Sequence, residues 1–176
     1  MSCDLGHSAL APFTLTDISQ KYVDWLNDPE VMHYTRAGSM KHTLASARAY
    51  VKAAAADKTS RLFKILLDGA HVGNIRISNL DEINCRAEIA IIVGEKKKWG
   101  RGIAPMAIDL AAQYAFRRLK LHKLVAVVLE PNKASRRAFL KAGFVDEGTL
   151  RAHYRMGKGY VDAIFMARFS KASNRA

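Results

Sequence analysis

Residues 97 to 102 read Lys97-Lys98-Trp99-Gly100-Arg101-Gly102, two glycines set among three cations. Glycines at this spacing let a backbone turn tightly and approach a ligand with no side chain in the way. The apolar run Ala87 to Val93 precedes them, and a helical pattern from Ile103 to Leu119 follows. They therefore open a helix, whose first N–H groups lack acceptors and whose dipole favours negative charge. A charge-assisted hydrogen bond contributes about 1.5–3 kcal/mol, so three or four can anchor a pyrophosphate. The expected cradle runs from Gly100 through Gly102 to Ile103 and Ala104, bordered by Lys97, Lys98, Trp99 and Arg101. A lone GxG also suits a plain turn, and that reading stands beside this one. Two other nucleotide motifs fail. The dinucleotide fingerprint needs a third glycine where Pro105 stands, and the P-loop needs Gly-Lys-Ser/Thr, which is absent.

The elements that must hold this segment follow from patterning. Pro12 to Leu15 reads as a short strand. Thr16 or Asp17 is placed to cap a helix carrying Ile18, Tyr22, Val23 and Leu26 on one face. Asn27 and Asp28 stop it, and Pro29 suits a first helical turn. Thr43 caps a further helix to about Ala56. Leu62 to Leu67 and Val72 to Ile77 read as strands joined through Asp68-Gly69. Ala87 to Val93 is nearly all apolar, the pattern of a strand covered on both faces. In the following helix Ala107, Leu110, Ala111 and Tyr114 share a face, and Pro105 lies in the tolerant first turn. Leu124 to Leu129 is another buried strand, so strand, helix and strand form a βαβ unit with parallel strands. Asn132 or Ser135 starts a last helix ending at Gly143. Strands at about Val145 to Tyr154 and Tyr160 to Phe169 close the chain. The expectation is an α/β (α+β) fold with a mixed, mostly antiparallel sheet and one parallel pair.

Bulk composition narrows the class. The 176 residues suit a single domain, and 49% hydrophobic against 25% charged residues rules out a disordered tail. No run approaches the roughly twenty apolar residues of a membrane span. Met1 to Leu10 shows no secretory signal. Two cysteines, Cys3 and Cys85, form no CxxC, which speaks against a disulfide framework or a zinc site. The expectation is a cytoplasmic enzyme without a metal. The net charge of +12 attracts anions.

With these residues in view, the sequence resembles the GNAT acetyltransferases. Their pyrophosphate loop reads Arg/Gln-x-x-Gly-x-Gly/Ala, and Lys97 to Gly102 matches it with lysine in first place. Asn132-Lys133-Ala134-Ser135, continuing to Lys141-Ala142-Gly143-Phe144, resembles the family's Asn-x-x-Ser…Lys-x-Gly-Phe element. The likeness runs from about Phe13 to Phe169. Three further stretches resemble the branch of ribosomal-protein alanine N-acetyltransferases: Trp25 to Val31, Gly148 to Tyr154, and Gly159-Tyr160-Val161-Asp162. That branch also holds enzymes acting on amino-sugar nucleotides.

The resemblance implies acetyl-coenzyme A as cosubstrate and a parallel pair that splays near Ile91 to Val93. The pantetheine arm would enter the gap and pair with backbone groups of Ile92 and Val93. Asn132 would hold it from the other side, with Ser135 near the thioester sulfur. Helix capping is the competing role for both residues. Attack of a neutral amine needs a proton acceptor and an oxyanion partner. Glu88 is the candidate base, in a strand where burial would raise its pKa; pairing with Arg86 or a neighbouring strand is the alternative. A backbone N–H near Val93 would face the oxyanion. Many relatives place a tyrosine seven residues after the motif asparagine as general acid. Here that position, which by the resemblance would also border the cofactor, is Phe139, which leaves Tyr154 or an unassisted thiolate. Covalent catalysis by Cys85 has no base paired with it in sequence. His33, Tyr34 and His153 lie in segments that line the acceptor cleft of similar enzymes, and are also ordinary loop or strand-end residues. Trp25 and Trp99 read as packing anchors.

Three functions are compatible with this pattern of residues to differing degrees. The first is acetylation of a small amine, a nucleotide-linked amino sugar being favoured by the basic surface. The second is acetylation of a protein N-terminus. The third, a nucleic-acid-binding module, lacks a recognisable motif. A polyamine fits poorly, since a net charge of +12 repels a polycation. The partners expected are a small-molecule amine and a second copy at most, monomer or homodimer, with no membrane or nucleic acid.

Overall fold

The computed structural model describes residues 8–35 and 40–171. Its centre is one seven-stranded sheet in the order β1-β2-β3-β4-β5-β7-β6. The strands are β1 (Ser8–Pro12), β2 (Arg61–Leu67), β3 (Ala70–Asp81), β4 (Arg86–Val93), β5 (Lys123–Leu129), β6 (Val145–Met156) and β7 (Gly159–Phe169). The helices are α1 (Gln20–Asn27), α2 (Leu44–Ala56), α3 (Ile103–Arg117) and α4 (Lys133–Lys141). Only β4 and β5 run parallel; every other neighbouring pair is antiparallel. None of the described helices is long and apolar enough to cross a membrane.

Two apolar clusters lie on opposite faces of the sheet. Ile103, Ala107, Ile108, Ala111 and Ala115 of α3 meet Ala87, Ile89, Leu124, Ala126 and Met166, with Phe139 and Phe144 of the α4 region beside them. On the other face Tyr22, Val23, Trp25 and Leu26 of α1 pack with Ala47 and Val51 of α2, over Leu62 and Ile92. Small residues along α3 let it lie close on the sheet, and each fully buried Val or Leu contributes about 1.5–3 kcal/mol.

Several local expectations need correction. The first strand is Ser8–Pro12, and Leu15–Asp17 forms a 3-10 turn. Ser19, not Thr16 or Asp17, caps α1, its hydroxyl accepting from Tyr22 N–H at 3.3 Å. Pro29 opens a run of turns and not a helix. There the carboxylate of Asp28 accepts from the amides of Glu30 and Val31, a local alternative to helical bonding. β4 is not covered on both faces: Ala87 and Ile89 are buried while Glu88 and Ala90 are exposed. Its apolar composition concealed that alternation, because alanine sits on either face.

Candidate active site

β4 and β5 pair only over Arg86–Glu88 and Lys123–Val125. Beyond Glu88 the two strands part, so among the described residues Ile89 to Val93 of β4 have no strand partner on that side. The splay begins earlier than Ile91. It opens toward the carboxyl ends of both strands, the place where ligands enter open α/β sheets.

The register fixes which side chains share its faces. Glu88 stands beside Val125, Val125 beside Ala167, Leu129 beside Ala163, and Tyr154 beside Val161. Paired residues project to the same face and alternate ones to opposite faces. Glu88 and Tyr154 therefore project from one face, that of Ile92 and the α1–α2 cluster, although three strand intervals separate them.

The glycine-and-lysine segment follows β4 directly. Lys96–Lys98 form a 3-10 turn, and Trp99 folds back so that Nε1 donates to the Val93 carbonyl at 2.8 Å. Gly100 and Gly102 have φ of 75° and 83°, both in the left-handed region that a Cβ disfavours. Gly102 is the N-cap of α3 and has no side chain to satisfy the helix. The first intrahelical bond runs from Met106 N–H to the Gly102 carbonyl. The amides of Gly102, Ile103 and Ala104 thus point out of the helix without a helical acceptor, and Pro105 contributes none. A Cβ built on Gly100 would meet nothing within 4 Å, so the loop crest is open.

The neighbouring cations divide into two kinds. Lys96 is tied to Asp28 at 2.8 Å and to Glu30 at 3.0 Å, and its bond to Asp28 holds that carboxyl below the ordinary carboxylate value. Lys97, Lys98 and Arg101 have no ion-pair partner among the described residues, and Lys97 and Arg101 are exposed. The cradle therefore offers bare amides and uncommitted cations together.

On the opposite lip Asn132 caps α4, with Oδ1 accepting from Ser135 N–H at 3.1 Å. The capping role is present, and Nδ2 has no hydrogen-bond partner among the described residues. Tyr34 donates from its hydroxyl to the Pro131 carbonyl at 3.4 Å, and the His33 ring meets Tyr34 edge-on at 4.5 Å. The segment after α1 is thus tied to Lys96 on one side of the splay and to Pro131 on the other. His153 is exposed and meets half-buried Tyr154 edge-on at 4.7 Å.

Expectations at Glu88, Phe139 and Ile92 change. Glu88 is exposed and not buried in its strand. Nor does it pair with Arg86, whose guanidinium bonds Asp81 at 3.3 Å. Phe139 is 2% exposed and packs edge-on against Phe144 at 5.0 Å, which makes it core and not a cofactor contact. For Ile92, the carbonyl is aimed at Gly73 of β3, 2.3 Å from where a Cβ would stand there. The Val93 carbonyl already serves Trp99. Cys85 sits at the turn before β4, at the far end of that strand from the glycine loop. Ties that sequence reasoning missed are Lys96 with Asp28 and Glu30, Tyr34 with Pro131, and Asp162 with Ala152. Each joins segments with no periodic relation to one another.

The acetyltransferase (GNAT) domain family matches residues 9–145. The spermidine N(1)-acetyltransferase of Escherichia coli is 32% identical over 113 residues, 64% of this chain and 60% of that protein. The chain thus spans about 60% of the length of that relative. Among solved structures, a spermidine N-acetyltransferase from Vibrio cholerae in complex with CoA and spermine superposes with a TM-score of 0.82 at 22% identity. It covers 92% of this chain and 95% of its own. Mycobacterium smegmatis RimJ in complex with CoA-disulfide superposes with a TM-score of 0.84 at 21% identity, covering 98% and 86%. Both likenesses establish the mixed sheet with its single parallel pair.

Proposed function

We propose, from the premise that this chain belongs to the GNAT acetyltransferase family, that it transfers an acetyl group from acetyl-coenzyme A to a primary amine. The observation that carries the reading is the uncapped start of α3, where Gly102, in left-handed conformation, leaves amides without a helical acceptor in the segment that follows the splayed end of β4. Bare amides and a helix dipole at that point suit a diphosphate. The thioester supplies an acyl group already activated for attack.

The chain's residues then have distinct tasks. The amides of Gly102, Ile103 and Ala104 hold the diphosphate, with Lys97, Lys98 and Arg101 adding charge. Val93 on one lip and Asn132 on the other flank the pantetheine arm, with Ser135 beside the sulfur. A backbone N–H near Val93 faces the oxyanion. Glu88, open to solvent and uncommitted to any cation among the described residues, takes the proton of the attacking amine. Tyr154 projects from the same face and supplies a proton to the leaving sulfur. Phe139 has neither the proton nor the exposure for that task.

For the acceptor, local field outweighs net charge. Exposed charges are screened beyond about 8–10 Å at physiological salt, so the +12 total does not by itself repel a cation from the cleft. The basic surface was the argument for a nucleotide-linked sugar, but Lys97, Lys98 and Arg101, without ion-pair partners among the described residues, stand at the cradle, where the cosubstrate's own diphosphate uses them. The acceptor face presents Glu88, which suits a cationic amine. A small alkylamine such as spermidine, the substrate named for the Escherichia coli relative, is the first acceptor to assay; an alanine-led peptide is the second, and an amino-sugar nucleotide the third. Calorimetry should detect coenzyme A binding, and thiol release should select among the amines. Folded protein that takes up no coenzyme A would remove the reading.

A further inference from the structure

β6 and β7 do not run in step. Leu150 stands opposite Ala163, yet Tyr154 stands opposite Val161. Arg151, Ala152 and His153 therefore all face the single residue Asp162, where a regular ladder would set one residue against one. At the centre of this insertion Ala152 has φ 47°, a conformation disfavoured for any residue with a Cβ. A specific contact holds it. Oδ1 of Asp162 accepts the Ala152 N–H at 2.8 Å. The carbonyl of Asp162 also accepts the N–H of Glu130 at 2.8 Å, at the start of the link that leads to Asn132.

The insertion decides which side chain reaches the acceptor face. Counted regularly from Leu150 and Ala163, the residue opposite Val161 would be Ala152. The extra residues give that place to Tyr154. Because the insertion is even, parity is kept and Tyr154 stays on the face of Glu88. Without it a methyl group would stand where the phenol now stands. Among the described residues β6 is an edge strand, with no neighbour beyond it to resist such a slip.

We infer that Asp162 is a positioning residue: its carboxylate pins the β6 insertion and so holds Tyr154 on the face of the sheet from which Glu88 projects. The functional half of this inference rests on the acetyl-transfer reading; the register half does not.

Two variants test it. Asp162→Asn keeps an oxygen for the Ala152 N–H, and Asp162→Ala removes it. By NMR on the full chain with coenzyme A, wild type and Asp162→Asn should both show the Tyr154–Val161 cross-strand contact and a protected Ala152 amide. Asp162→Ala should lose the contact, with that amide exchanging about tenfold faster or more. In thiol release from acetyl-coenzyme A with spermidine and with an alanine-led peptide, Asp162→Ala should lower kcat about tenfold while the KM for acetyl-coenzyme A stays within about twofold. Asp162→Asn should recover most of the loss. A Tyr154–Val161 contact that persists in Asp162→Ala, or equal losses in both variants, overturns the proposal. Should Asp162→Ala fail to fold, Asp162→Glu displaces the oxygen by one methylene and gives the same contrast. Wild-type protein that binds no coenzyme A would instead defeat the acetyl-transfer reading, and the register measured without ligand would still decide the pin.

Discussion

On the β4 side of the splay the proposed site is made of main chain within residues 93–104, while on the β5–β6 side it is made of side chains drawn from widely separated segments. The first region depends on two left-handed glycines and a helix start. The second depends on Tyr34 reaching Pro131, on Asn132 capping α4, and on Asp162 holding Ala152. A main-chain cradle tolerates many side-chain changes but no change of backbone conformation. A side-chain assembly behaves in the opposite way, each member being removable and each removal having its own effect.

The contrast can be broken most sharply at Gly102. Gly102→Val places a branched side chain at φ 83° and should weaken coenzyme A binding by about a hundredfold, roughly 2.7 kcal/mol. Calorimetry gives the affinity, and a thermal melt should stay within a few degrees of wild type. Unchanged affinity would remove the cradle from the site. Glu88→Gln should lower kcat by about ten- to a hundredfold, with coenzyme A affinity unmoved because the exposed carboxylate lies outside the cradle. Full activity across pH would dismiss Glu88 as the base.

A smaller effect is expected where the two regions meet. Lys96→Met cuts the ties to Asp28 and Glu30. Exposed ion pairs contribute little, so the KM for the amine should rise by about two- to fivefold. Coenzyme A affinity should hold, since Lys97, Lys98 and Arg101 are untouched. A large loss of coenzyme A affinity would instead put Lys96 in the cradle.

The smallest effect concerns the support beneath α1. His71 packs against Phe13, Tyr22 and Trp25, at ring distances of 5.2, 6.3 and 5.0 Å. Burial lowers its pKa from the ordinary 6.5, outweighing the hydrogen bonds with Asn74 and Gly73 that act the other way. The unfolded chain then binds the proton first. Stability from this ring is complete above about pH 6.5 and is lost as pH falls from there through the folded value. Melts between pH 7.5 and 5.5 should show a decline that His71→Gln reduces; an identical slope in the variant would clear His71 of the effect.

The order of strands and helices was legible because periodicity and punctuation agreed for most elements, as at Thr43 before α2 and Gly143 after α4. It failed where polar side chains offered the backbone local bonds. Asp28 bonded the amides after it and turned the Pro29 segment away from helix. The role of Phe139 was unreadable for another reason. A helix of nine residues has a buried and an open side, and only packing against Phe144 determined which side held that ring.

By itself the sequence determined the cradle, since glycine spacing before a helix acts through backbone conformation and needs no distant partner. It also determined the alternation of strand and helix that makes β4 and β5 parallel. Tertiary structure alone decided that Glu88 is exposed, that Tyr154 and not Ala152 stands opposite Val161, and that the segment after α1 is tied to both lips of the splay. Those outcomes depend on register and on contacts between residues up to 97 positions apart, and local propensity carries no record of either.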